Sequence, residues 1–276
     1  MTREDMIKSF LIFATGLFLL AFTLGPFIWM IWISLADRAD FLVTGKVEYS
    51  FNNYYQVLTA QSLHFLDYLK NSLFISTVTA IVVTLFSSMA AYAVSRMRFP
   101  GRSVVPLLIL AMSMFPQISI VGYLFEMFSK MGLINSHMAL ILPYIAWTIP
   151  IALWINMSYF SQIPLDLDKA ALVDGAGRMK VLYKIIFPLA LPGIFSSALL
   201  VFIACFNEFL FAIMLTIDYT AQTLPVGIAL FQGLHGEIPW GNLMAASAIA
   251  SVPLVILTLI FQRYIVAGLM GGAVKG

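Results

Sequence analysis

Six apolar runs, each long enough to cross a bilayer as a helix, constrain this chain more than any other feature. They fall at about residues 10–35, 71–94, 104–125, 138–160, 192–217 and 242–266. A helix rises about 1.5 Å per residue, so about 20 residues cover about 30 Å of hydrocarbon. Within lipid every backbone polar group must be satisfied by the chain itself, which admits only helices or a closed barrel. A barrel would show alternating segments of about ten residues, and the sequence has none. The expected fold class is therefore all-α integral membrane, with six transmembrane helices in a single domain over residues 1–276. Only 10% of the residues are charged, against about 25% in a soluble domain. The first run is too long for a signal-peptide core and lacks a small-x-small cleavage site, so it reads as a span.

Lys and Arg set the direction of insertion. With the N-terminus inside, the inner segments hold eleven of the fifteen: Arg3, Lys8, Arg96, Arg98, Arg102, Lys169, Arg178, Lys180, Lys184, Arg263 and Lys275. Arg38, Lys46, Lys70 and Lys130 fall outside. Both termini are expected in the cytoplasm. A net charge of +2 gives no reason to expect a nucleic-acid partner.

Several chemistries find no footing. No G-x-x-x-x-G-K-[ST] loop occurs, so any ATP and Mg belong to a partner chain, and no cofactor is expected here. His64, His137 and His235 stand apart in the sequence, which indicates no metal site. No nucleophile–base pair stands out. Cys205, the single cysteine, reads as a small core residue. Transport or a structural membrane role remains.

The polar segment between the fourth and fifth runs (residues 161–191) falls on the cytoplasmic side. Pro164, Asp166 and Asp168 suit the first turn of a helix, and Lys169 to Val173 continue it. Gly175 and Gly177 turn the chain, and "RMKVLYKIIF" resumes a helical pattern. Such a short helix–turn–helix, with Ala170, Ala171, Leu172 and Val173 on its surface, is shaped to dock into a partner's groove.

For a transport path, Glu208 is the one acidic residue within the six runs. It lies near the bilayer middle, where an ionisable group is costly and points to function. Asn207 beside it adds a donor and an acceptor. Gln117, Tyr123, Trp147 and Asn156 are further candidates to line a polar path.

The 161–191 segment resembles the EAA loop of ABC-importer permeases, whose spacing is E-A-A-x3-G-x9-I-x-L-P. Here Lys169, Ala170 and Ala171 are followed by Gly175, Ile185, Phe187 and Pro188 at that spacing. Lys169 stands for the Glu and Phe187 for the Leu, so the acidic contact to the ATPase falls to Asp168, or Lys169 meets a complementary acid. "AAYAVSRMRFPGR", "MFPQISIVGYLF", "DGAG", "FNEFLFA", "TLPVGIALF" and "FQRYIVAGLMGGAVKG" extend the resemblance along nearly the whole chain. They narrow it to the MalG-like carbohydrate permeases of the type I ABC-importer fold. The resemblance implies a bacterial inner-membrane subunit working by alternating access. Its partners would be a second, homologous permease chain, an ATPase dimer, an extracytoplasmic sugar-binding protein, membrane lipid and a sugar substrate. It also implies that Asp168, Lys169, Ala170, Ala171, Asp174, Gly175 and Ala176 couple to the ATPase, and that the tail with Gly271, Lys275 and Gly276 reaches into it. The outer loop with Gln232, Gly233, Leu234, His235, Gly236 and Glu237 would enter the binding protein. A secondary transporter or a membrane scaffold without transport are the alternatives; neither needs an EAA-like loop.

Overall fold

The computed structural model describes residues 3–36, 48–231 and 238–273. Among these the regular structure is helical, apart from one isolated antiparallel bridge between Ala36 and Tyr49. Five helices are long and apolar enough to cross a membrane, or six if one bent pair counts as a single span.

The chain divides into two compact units. The first holds residues 1–65 and 230–252. Along its apolar stretch the long helix α1 (Arg3–Ser34) buries no residue, as a helix bathed in lipid or awaiting another chain would. Asn53, in α2 (Asn52–Thr59), closes the end of α1 by donating to the carbonyls of Ser34 and Ala36, both at 2.9 Å. These are orphan acceptors at a helix terminus, and the side chain satisfies them where the helix cannot.

The second unit holds residues 66–229 and 253–276. Its centre is built from α3 (Phe65–Arg96), α6 (His137–Gln162) and α9 (Phe187–Phe206), each about half buried. Close approach of α6 and α9 depends on Gly193, because a Cβ there would overlap the ring of Tyr159. In lipid, such tight packing replaces the hydrophobic drive that water would supply.

Two of the six expected runs are not single helices. The third divides into α4 (Val104–Ser113) and α5 (Gln117–Lys130), whose axes meet at 85°. Pro116 takes an extended ψ of 132° at the start of α5; it has no N–H to continue α4 and disfavours helical geometry in the residue before it. The fifth run breaks at residues 207–209, between α9 and α10 (Leu210–Leu215). α11 (Leu224–Ala229) follows, and α12 (Trp240–Ala273) carries the sixth run beyond its expected end.

Candidate functional site

Between α6 and α9 the chain makes the expected helical hairpin. α7 (Leu165–Val173) opens after Pro164 with Asp166 and Asp168 in its first turn. It ends in a Schellman turn: Gly175 N–H bonds the Leu172 carbonyl at 3.1 Å and Ala176 N–H the Ala171 carbonyl at 2.9 Å. Gly175 sits at φ +78°, a left-handed backbone that glycine adopts without Cβ strain. α8 (Arg178–Val181) leads into a widened turn, Leu182–Ile186, and so to α9. The widening lies just ahead of Pro188, which has no N–H to offer the Lys184 carbonyl.

The hairpin has two faces. Asp168 and Ala171, three residues apart, turn inward and are buried. Val181, Leu182 and Ile186 join Ala171 in a cluster with Tyr92 and Phe160. Outward lie Lys169, Ala170, Leu172, Val173, Asp174 and Gly175, with Val173 87% exposed and Ala176 half-buried. Lys169 bonds Asp166 at 2.8 Å; the hydrogen bond and the nearby charge hold the Asp166 carboxyl below its usual range. So exposed a pair contributes little to stability and leaves Lys169 available.

Asp168 is committed elsewhere. Its Oδ2 accepts from Nη1 of Arg96, the last residue of α3, at 2.9 Å. Nη2 of Arg96 donates to the carbonyls of Phe160 and of Ile163, the latter at 2.6 Å. One nearly buried guanidinium therefore joins the ends of α3 and α6 to α7. Arg96 falls within the "AAYAVSRMRFPGR" stretch and on the inner side, but no sequence signal assigned it this contact.

At the break in the fifth run, Glu208 is buried and its carboxylate is filled. Oε2 accepts the Tyr144 hydroxyl at 2.7 Å and the Ala212 N–H at 3.2 Å, and Oε1 accepts the Phe211 N–H at 2.8 Å. Glu208 thus caps α10, taking orphan amides of its first turn, and Tyr144 locks the cap to α6. Asn207 is exposed beside it. Asn156 is fully buried, donating to Ser87 at 3.0 Å and accepting from Ser197 at 3.1 Å; it pins α3, α6 and α9 together. Gln117 and Trp147 meet in a cavity of about 590 Å³ at the α4–α5 bend, with Phe115, Leu142 and Phe211 also in its wall. Gln117 Nε2 is buried there without a partner. Tyr123 is 71% exposed on α5. Gly271 lies in α12; Lys275, Gly276 and the loop 232–237 lie outside the described residues.

A third polar group, which sequence reasoning missed, gathers at the other end of α3. Asn71 donates to the carbonyls of Tyr219 and Gln222, both at 2.9 Å, and its Oδ1 meets His137 Nε2 at 3.0 Å. Ser72 accepts the Leu224 N–H at 2.7 Å. Asn135, at φ +61°, accepts the N–H groups of Ile217 and Asp218. Short polar side chains at helix ends are too common in sequences to reveal such a cluster.

Membrane-length helices, one of them broken around a buried carboxylate and joined to the span before it by a small two-faced hairpin, define a membrane-embedded transport subunit. The chain belongs to the family of binding-protein-dependent transport system inner membrane components, which it matches over residues 83–271. It is 54% identical to the trehalose/maltose transport system permease protein MalG of Thermococcus litoralis, across 99% of both chains. It is 39% identical to the trehalose transport system permease protein SugB of Mycobacterium tuberculosis, over 92% of this chain and 93% of that one. A crystal structure of a bacterial ABC transporter involved in the import of the acidic polysaccharide alginate shares the fold. Its TM-score is 0.79 at 22% identity, covering 96% of this chain and 98% of that chain.

Proposed function

We propose that this chain is one of two permease subunits in an ATP-driven, binding-protein-dependent importer of a small oligosaccharide or glycoside. The observation that carries the reading is full-length identity of 54% to a trehalose/maltose permease, joined to the hairpin with its exposed, mostly small and apolar face. The chain sits in the cell membrane with six spans, α4 and α5 together forming the third, and with both termini inside. The hairpin is the coupling helix. Lys169, Ala170, Leu172 and Val173 face a groove of the ATPase dimer, where Lys169 meets an acid. The tail from Gly271 to Gly276 approaches the same partner, and ATP and Mg are bound there. On the outer side, the 232–237 loop enters an extracytoplasmic sugar-binding protein. Asn207, Gln117, Trp147 and Tyr123 line this chain's half of the path, while Glu208 and Asn156 shape it from behind.

The test is to purify the complete complex, reconstitute it in lipid nanodiscs, and measure ATP hydrolysis with its binding protein across a sugar panel that includes trehalose and maltose. Stimulation by one or a few loaded sugars is the expected result. Hydrolysis indifferent to the binding protein, or no ATPase co-purifying, would sink the proposal.

A further inference from the structure

Among the described candidate spans, α3 alone contains neither proline nor glycine. α1, α4, α6, α9 and α12 all carry at least one proline, and proline is the usual cause of a helix kink. α3 is also rich in β-branched residues (Ile75, Thr77, Val78, Thr79, Ile81, Val82, Val83, Thr84), whose side chains have little rotamer freedom in a helix.

This proline-free helix is fastened to α6 at three levels. Asn71 meets His137, the first residue of α6, at 3.0 Å. Ser87 accepts from Asn156 in the middle at 3.0 Å. Arg96 bonds the carbonyls of Phe160 and Ile163 where α6 ends. The prolines of α6, Pro143 and Pro150, are thereby splinted by a neighbour that has none. From Asn71 to Arg96 the rise is about 37 Å, more than the hydrocarbon thickness of about 30 Å.

Each end of the pair holds a different segment of chain. At the Arg96 end hangs the hairpin: Arg96 grips α7 through Asp168, and Tyr92, one turn earlier, donates to the Arg178 carbonyl of α8 at 3.5 Å. At the Asn71 end hangs the segment 217–224, bonded through Asn71 and Ser72. A displacement of the hairpin that keeps these bonds must move α3, and a rigid α3 must move the far segment.

We infer that α3, splinted to α6, is the rigid element that carries movement of the 165–181 hairpin to residues 217–224 across the membrane, with Arg96 and Asn71 as the positioning residues at its two ends. This rests on the transport reading above. Neither residue touches nucleotide or sugar; each acts by holding another segment to the rod.

Two measurements separate the linkage from the transport reading. In the complete complex in nanodiscs, Arg96→Gln and Asn71→Ala should each leave basal ATP hydrolysis unchanged. Each should lower its stimulation by the sugar-loaded binding protein, on the order of tenfold, as for losing a coupling between distant sites. The double variant should be no worse than the more impaired single, because both cut one connection. Arg96→Lys keeps the cation but cannot reach a carboxylate and two carbonyls at once, so it should fall between wild type and Arg96→Gln; it carries the test if Arg96→Gln does not assemble. Independently of transport, hydrogen exchange in the Arg96 variants should quicken at the amides of Leu224 and its neighbours at the opposite end of α3. Retained stimulation, losses that multiply in the double variant, or unchanged exchange at residues 217–224 would each overturn the linkage. A wild-type complex that its binding protein does not stimulate would instead overturn the transport reading and leave the exchange result to judge the rod.

Discussion

The hydroxyl of Tyr144 lies 2.7 Å from Oε2 of Glu208, and the pair closes a cap over the first turn of α10. A carboxylate with three protein donors has little left to offer a passing sugar. Glu208→Gln supplies only one oxygen and puts an amide donor among other donors. Leaving one buried group unpaired costs about 1–3 kcal/mol, so the purified complex should melt earlier, and earlier still with Glu208→Ala. Asn207→Ala, which removes an exposed side chain, should leave melting within about 0.5 kcal/mol of wild type while slowing transport. Wild-type melting of Glu208→Ala would refute the cap.

Gly193 and Tyr159 make a second sharp case. A Cβ on Gly193 would run into the Tyr159 ring, so Gly193→Ala should destabilise the complex by about 1–3 kcal/mol, the usual cost of overpacking. Tyr159→Ala in the same chain should recover part of that loss, because it removes the obstructing ring. Thermal unfolding of the two singles and the double decides the matter; additive losses would mean the contact is not what makes Gly193 necessary.

Gly175 tests the hairpin. Its φ of +78° is a region that costs an L-residue about 1–2 kcal/mol and is hardest on β-branched side chains. Nothing lies within 4 Å of a Cβ there, so the strain would be of the backbone alone. Gly175→Val should insert and assemble yet lose stimulated ATP hydrolysis, whereas Gly175→Asn should keep most of it, since Asn tolerates left-handed geometry. Equal activity of the two variants would argue against a turn that must keep this shape.

Asp218 supplies a pH signature. Hydrogen bonds from Thr220 and Asn135 hold its carboxyl below the ordinary aspartate range. A depressed folded-state value means the contribution is complete above about pH 4, the ordinary range, and is lost as pH falls through the lower folded value. The Thr220 amide, which donates to Asp218 Oδ1 at 2.9 Å, should therefore keep constant protection from neutrality down to about pH 4 and lose it below. Asp218→Asn should abolish that acid step in hydrogen-exchange rates corrected for their intrinsic pH dependence. A step near pH 6 would assign the turn to some other group.

The amino-acid sequence by itself determined the helical membrane class, because hydrocarbon runs of that length have one economical solution in a bilayer. It determined the hairpin too: Pro164, two early acids and Gly175 each favour one local backbone geometry, and α7, its Schellman turn and α8 formed accordingly. The sequence also singled out Glu208 as a path candidate, because an ionisable group in mid-membrane is costly and must be satisfied. Which groups would satisfy it was decided only by tertiary structure, as Tyr144 lies 64 residues away along the chain. The same holds for Asp168, one residue ahead of the motif position that Lys169 occupies: it turns inward because Arg96 arrives from 72 residues away. Asn156, polar and mid-span, fitted a path equally well until Ser87 and Ser197 closed around it. Propensity and hydropathy act over a few residues, so they set elements; partners distant in sequence are chosen by how those elements pack, and packing settles which polar groups face a path and which hold it together.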